Sequence, residues 1–378
     1  MDQPPEATES VLRRHRDKLL FLMFAGAISI ILLVIGGYQL VEFSDSTSFC
    51  GRLCHNVMYP EYATYQASPH SRVRCAECHV GSGADYLVRS KLSGIPQILA
   101  TFAGDYERPI PTPVENLRPA RETCEQCHRP ERFAGDIVRT HTSFAPDEAN
   151  TPRTDIRVLR VGGGEAGTAR DIHWHIAATV FYLPLDQQRQ EIIWVRVAGA
   201  NGDTEFVDPA RAAEITPERL AREARLMDCV DCHNRATHIF ESPQTLIDRA
   251  FVEGTLDTAL PYLKREGVRL LDPPASSLEE ALEKVEDIRS FYQDNYPQVY
   301  AEREASVDRA VEVFKNVARL TTFPEMGVTW DTYPSNAGHQ ETDGCLRCHG
   351  KLEATSGPDK GQKIDASCES CHYFQLPQ

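Results

Sequence analysis

Twelve cysteines in this 378-residue chain fall into six close pairs: Cys50/Cys54, Cys75/Cys78, Cys124/Cys127, Cys229/Cys232, Cys345/Cys348 and Cys368/Cys371. A histidine follows each pair directly: His55, His79, His128, His233, His349 and His372. The whole chain has only 13 histidines, so six in six is a pattern that composition does not supply. Disulfides would account for paired cysteines in an exported chain, and zinc ribbons use Cys-x-x-Cys pairs. Neither needs a histidine after every pair. Cys-x-x-Cys-His has a chemistry that uses all three residues. Its thiols add across the two vinyl groups of a haem, and the adjacent imidazole reaches the iron. The expectation is six covalently attached c-type haems. The first motif has three residues between its cysteines, Gly51, Arg52 and Leu53. It reads as the same device with a bulged loop.

Each iron has a second axial position. The remaining histidines are His15, His70, His141, His173, His175, His238 and His339. His15 precedes the apolar segment described below, which leaves six candidates for six irons. Ligation by two histidines suits an electron relay rather than a catalyst. His70 and His339 each fall just before a motif, and His238 just after one. His173 and His175 sit in DIHWHIAATVFYL, where Ile172, Trp174, Ile176, Ala178, Val180 and Tyr182 alternate. That alternation predicts a strand with both histidines on the face opposite the apolar one. They would serve two haems, or one haem and a hydrogen-bonded neighbour. Met58, three residues after His55, offers a thioether to the first iron, which would raise that haem's potential; plain packing is the alternative.

These residues must be carried by something, and the chain divides accordingly. Leu19 to Val41 is a run of 23 residues without a charge. As a helix rising ~1.5 Å per residue it spans the ~30 Å hydrocarbon core. Arg13, Arg14, Arg16 and Lys18 precede it, so residues 1–18 are expected to be a cytoplasmic tail, with everything after Val41 exported. A cleaved signal peptide would have a shorter apolar core and a small-residue cleavage site, which VEFSDST lacks. Residues 42–139 read as loop and short helix around three motifs. Residues 140–215 carry the strand signals DIRVLRV, IHWHIAATVFYL and QEIIWVRV, the last joined to TEFVD through an Asn-Gly turn, and are expected to form a small antiparallel β-insert. Thr216 and Pro217 start a helix running into the fourth motif, within 216–242. Residues 243–322 read as helical: Ser276 and Glu279 form a capping box, followed by apolar stripes at Leu278, Leu282, Val285, Ile288 and at Val307, Val311, Phe314, Val317. Residues 323–378 are turn-rich and hold two motifs.

Composition limits the alternatives. A chain that is 41% hydrophobic and 25% charged is neither disordered nor collagen-like. The net charge of −15 argues against nucleic acid, whose binding needs clustered Lys and Arg.

FCGRLCHNVMYPEYATYQASPH, RVRCAECHVG and KLSGIPQILATFAG, following a single apolar segment, resemble the NapC/NirT family of membrane-anchored multihaem cytochromes, including the NrfH-type quinol dehydrogenases. The likeness covers roughly residues 10–130, and the ending from MGVTWDTYPSNAGHQETDGCLRCHG to IDASCESCHYF is similar to the dihaem part of longer multihaem members. The implied fold is a multihaem cytochrome c, mainly α and irregular around stacked haems, with one transmembrane helix and the β-insert. The implied activity is oxidation of membrane quinol (menaquinol) beside the first haem, with electrons passing to a periplasmic or outer acceptor protein. The implied location is the bacterial inner membrane. In that family a methionine after the first motif ligates the first haem, and Met58 matches with one extra residue between; whether His55 or Met58 holds the iron stays open. Lys91 is the nearest match to the family's quinol-site lysine, and His70 matches a ligand histidine. Asp85 and Asp105 are candidates for the quinol-site acid. Residues 86–104, with Arg89 and Lys91, would lie along the membrane interface. The chain departs from the family in its three-residue first loop, its β-insert and its two extra haems. Two rival functions differ in kind: a non-catalytic electron-transfer subunit of a larger membrane complex, and a terminal reductase with an open iron.

Overall fold

The computed structural model describes residues 6–373 apart from 54, 82, 115–117, 130, 131, 133, 134, 166, 201, 273, 274, 340, 341 and 358. Cys54 therefore lies outside the described residues, and so does the side chain of His55. Helix α1, Glu6–Ser44, contains a candidate membrane span, Arg13–Ser44, whose most apolar window has a mean hydropathy of 2.8 and is not buried in the protein. An apolar helix that packs on nothing belongs in lipid, where every backbone polar group is satisfied internally.

After α1 come α2 (His55–Gln66), α3 (Cys75–His79), α4 (Ala84–Ala103) and α5 (Ala120–Cys124). Strands β1 (Ile137–Phe144) and β2 (Pro152–Leu159) form an antiparallel hairpin. The expected long strand through His173 and His175 is not formed. In its place α6, Trp174–Ala177, makes one helical turn with His173 at its N-cap, and β3 begins only at Val180 and ends at Pro184. The alternation there was short, and Asp171 just upstream takes a positive φ of 61° that turns the chain. Strands β4 (Ile192–Val197) and β5 (Thr204–Val207) pair antiparallel as the Asn-Gly turn predicts.

Helix α7, Pro217–Glu223, starts at Thr216, whose hydroxyl accepts from the Arg219 amide. It stops short of the fourth motif; β6 (Arg225–Leu226) intervenes before α8 (Cys229–Cys232). Helices α9 (Pro243–Val252), α10 (Leu263–Leu271), α11 (Leu278–Val285), α12 (Asp287–Asn295) and α13 (Pro297–Thr321) follow. The N-cap of α11 is Ser277, one residue later than expected. Its hydroxyl accepts from the Glu280 amide, and the Glu280 carboxylate reaches back to Ser276. Val285, Ile288, Val307, Val311 and Phe314 are fully buried in the helical core, together with Ile247, Leu260, Leu263 and Tyr292. The chain ends with β7 (Thr322–Phe323), β8 (Val328–Thr329), β9 (Glu353–Ala354) and β10 (His372–Tyr373).

The sheets draw strands from well outside the expected insert. One has the order β1-β2-β10, the other β6-β3-β4-β5-β9. Thus the last two motifs are stitched to the insert through β9 and β10. The turn of the β1–β2 hairpin is tied to the helices by Asn150, which is buried. Its amide donates to the carbonyls of Thr258 (3.1 Å) and Leu260 (2.8 Å), and its side-chain oxygen accepts from the Lys264 amide (2.9 Å).

Candidate functional site

Five motifs sit on a single tight turn of backbone. Cys75, Cys229 and their partners lie in α3 and α8, Cys124 ends α5, and the fifth and sixth motifs occupy 3₁₀ turns, Gly344–Arg347 and Cys368–Ser370. Residues three apart on such a turn face the same way, so both thiols of each pair are presented together. Among the described residues no cysteine is paired in a disulfide. The first motif lies on a π-type turn, Phe49–Leu53. A π-turn closes i→i+5 and so takes up one residue more than an α-turn, which is how the third spacer residue is accommodated. Gly51 is required there: a Cβ at this position would stand 2.1 Å from the Tyr62 ring.

The motifs are chained in sequence order. The side chains of Cys50 and Cys75 lie close enough to interact, which brings the first motif against the second. Cys78 lies within the electrostatic reach of Cys124 and Cys127. Cys124 and Cys229 are again close enough to interact. Cys232 lies beside Cys345, and Cys345 beside Cys371.

Each of the last five motifs also meets one distant histidine. Ring centroids are 6.3 Å apart for His79 and His238, 6.0 Å for His128 and His70, 5.8 Å for His349 and His175, and 6.0 Å for His372 and His339. His173 lies against His233, close enough for their charges to interact. The rings meet edge-on or tilted rather than face to face. Their separations are those that one iron between two imidazoles requires, since bonds from imidazole to a metal run about 2.0–2.1 Å. The outward nitrogens agree. Nδ1 of His70 bonds to the Ala236 carbonyl (3.0 Å), that of His175 to Ile172 (2.8 Å), that of His238 to Glu61 (2.9 Å) and that of His349 to Asp365. A carbonyl that takes the Nδ1 proton leaves Nε2 free as a ligand. Nδ1 of His173 is buried without a hydrogen-bond partner among the described residues. Burial also lowers the pKa of His79, His173, His175, His233 and His372, and takes His238 down to about 4. Neutral imidazole is the form that binds iron. The residues fit haem.

The one-turn helix at α6 explains how neighbours serve different partners. Residues i and i+2 of a helix point about 200° apart, whereas on a strand they would share a face. His173 accordingly turns to the fourth motif and His175 to the fifth. These two motifs are also clamped to one another. Arg347, in the fifth motif and buried, donates to the carbonyls of Gly344 (2.8 Å), Arg189 (2.7 Å) and Asp231 (2.6 Å). Asp231, in the fourth motif, accepts from the Tyr182 hydroxyl (2.6 Å) and the Arg189 guanidinium (3.2 Å), and its other oxygen takes the Asp228 amide (2.7 Å).

At the other end of the series, the Lys91 ammonium bonds to Ser44 Oγ (2.8 Å) and to the Asp45 carboxylate, where α1 ends. Both Lys91 and Asp45 act electrostatically on the Cys50 thiol. Lys91 borders an apolar stripe on α4, Val88, Leu92, Ile95, Leu99 and Phe102, all exposed, the last by 84%. Met58, on α2, is partly buried against the cluster that includes Val57, Phe240, Phe323 and Tyr333.

Comparison with known proteins accords with this arrangement. Residues 13–110 match the model of the NapC/NirT cytochrome c family, N-terminal region. The cytochrome c-type protein ImcH of Geobacter sulfurreducens is 42% identical over 363 residues, covering 95% of this chain and 71% of the relative. The chain belongs to this cytochrome family. The cytochrome c-type protein NrfH of Wolinella succinogenes is 28% identical over 111 residues, 28% of this chain and 62% of its own. No solved structure matches. Membership brings covalently bound haem, and α1 makes this family member a single-pass membrane protein.

Two site residues of this cytochrome differ from expectation. His141 stands exposed on β1 opposite Asp155, and among the described residues it makes no ring contact with another histidine. The other five candidate histidines each lie against a motif histidine; among the described residues His141 does not. The carboxylate beside Lys91 is Asp45, while Asp85 and Asp105 stand exposed at the two ends of α4. Asp45 was missed because 46 residues separate it from Lys91. Its signal was its place, four residues past Val41, where the apolar run ends.

Proposed function

We propose that this cytochrome carries six haems and takes electrons from membrane quinol (menaquinol), delivering them to an extracytoplasmic acceptor protein. The observation that carries this reading is the Lys91–Asp45–Ser44 cluster, which stands at the end of α1 beside Cys50. The exposed apolar stripe of α4 suits a helix lying in the lipid interface with Lys91 at its edge. A quinol leaving the bilayer would meet the Lys91 ammonium as a donor to its oxygen. The Asp45 carboxylate would accept the proton that the hydroxyl gives up. His79, His128, His233, His349 and His372 would hold five irons, with His238, His70, His173, His175 and His339 opposite them. The first iron falls to His55 or Met58. Each haem, attached through its two cysteines, supplies a one-electron carrier. The basic run Arg13, Arg14, Arg16 and Lys18 supports a cytoplasmic N-terminus, with the haem-bearing part on the periplasmic side of the inner membrane.

The test is reduction of the membrane-embedded protein by a menaquinol analogue, followed in the haem absorption bands. Quinol is expected to reduce the native protein, while Lys91→Ala slows this reduction at least tenfold and leaves reduction by dithionite complete. Equal rates in the native and Lys91→Ala proteins would favour a subunit without a quinol site. A high-spin signal that responds to nitrite or hydroxylamine would favour a terminal reductase.

A further inference from the structure

The β1–β2 hairpin carries a feature that the relay leaves unexplained. Arg139 on β1 stands directly opposite Arg157 on β2. Directly opposed side chains in an antiparallel pair share a face, and like charges in that position are destabilising. Residues on the same face as this pair include Arg153, opposite Ser143, and His141, opposite Asp155. Asp155 reaches Arg157 at 3.4 Å and is the lone carboxylate against three arginines on that face. In a chain of net charge −15 this concentration of cations is local.

The register of the third strand says what stands beside it. In β10, His372 pairs with Leu159 of β2. His372 therefore shares the face of Leu159, Arg157 and Arg139, with the arginine pair two residues along, about 6.8 Å away. Arg157 acts electrostatically on His372. The strand carrying His372 is held in this register by the Arg160 amide, which donates to the Cys371 carbonyl (2.9 Å), and by the Arg160 guanidinium, which donates to the Glu369 carbonyl (2.9 Å).

We propose that Arg139 and Arg157 bind the carboxylate side chains of the haem attached at Cys368 and Cys371. A haem joined to the protein by its vinyl groups presents two propionates elsewhere on its rim, and these are anions. A planar guanidinium pairs with a carboxylate through two parallel hydrogen bonds. One anion between Arg139 and Arg157 also removes the repulsion that their cross-strand placement creates. The pair thereby sets the potential of the sixth haem, because two fixed positive charges favour the reduced iron. This rests on the attachment of a sixth haem, not on quinol as the donor.

The test uses the full-length membrane protein and its Arg139→Gln, Arg157→Gln and Arg139→Lys variants, each checked by intact mass for its haem content. In a spectroelectrochemical titration, one of the six midpoint potentials is expected to fall in each glutamine variant and to return towards the native value in Arg139→Lys. Arg153→Gln, farther along the strand, is expected to leave that midpoint in place. Six unchanged potentials in both glutamine variants would overturn the proposal. So would unchanged potentials accompanied by weaker, salt-dependent reduction of an acidic acceptor protein, which would make the face a docking surface. A native protein with no haem at Cys368 and Cys371 would also overturn it, and would leave the quinol reading standing.

Discussion

Replacing Arg347 with alanine removes three hydrogen bonds from one buried side chain. The guanidinium donates to the carbonyls of Gly344, Arg189 and Asp231 at 2.6–2.8 Å, and only 8% of the residue is exposed. A hydrogen bond to a charged group contributes a net ~1.5–3 kcal/mol, but three from one side chain do not add. The vacated space admits water that re-solvates part of what is lost, and the acceptors are neutral. The expected loss is therefore about 3 kcal/mol, at the lower end of the range for breaking a buried charged contact. The chain has several packed units and will not unfold in one step, so the probe must be local. Urea unfolding followed in the haem absorption bands suits this. With a slope of ~1–3 kcal/mol per molar urea, the transition of the fourth and fifth haem sites should move down by about 1–3 M. Arg347→Lys keeps the charge but cannot span three carbonyls, and should fall between. A shift equivalent to less than about 0.5 kcal/mol, which is typical of surface substitutions, would refute the clamp.

Gly51→Ala places a Cβ 2.1 Å from the Tyr62 ring; intact mass should then show loss or incomplete attachment of the first haem alone. His175→Ala should turn one low-spin iron high-spin in the electron paramagnetic resonance spectrum, while His141→Ala should leave the low-spin count unchanged. Glu280 is held at a pKa of about 2, chiefly by its hydrogen bonds with Lys284 and Ser276. Since its pKa is lowered on folding, its contribution to helix α11 is present above about 4.5 and is lost as pH falls through about 2. Circular dichroism of the native protein should lose helix over that window more steeply than that of Glu280→Gln.

What could be read from the sequence was whatever is encoded locally. The attachment motifs span only five or six adjacent residues, and so could be numbered without a fold. The same holds for α1, a run of apolar residues, and for the Asn-Gly hairpin between β4 and β5. The pairing of histidines could not be read, because His70 meets His128 and His238 meets His79 across long stretches of intervening chain. The segment at His173 and His175 was misread because alternation over a few residues also fits a helical turn with an apolar flank. There the tertiary demand, two neighbouring histidines serving two motifs, selects the helix. The haem-free helices looked unconnected to the relay. Through Asn150 and Asp248, which accepts the Phe144 amide (3.0 Å), they brace the hairpin that faces His372.

The central claim is that every cysteine pair holds one haem, so the most direct measurement is the mass of the intact purified protein. The mass of the polypeptide plus six haems would bear the account out. A mass corresponding to the polypeptide alone, or to fewer than six haems, would contradict it.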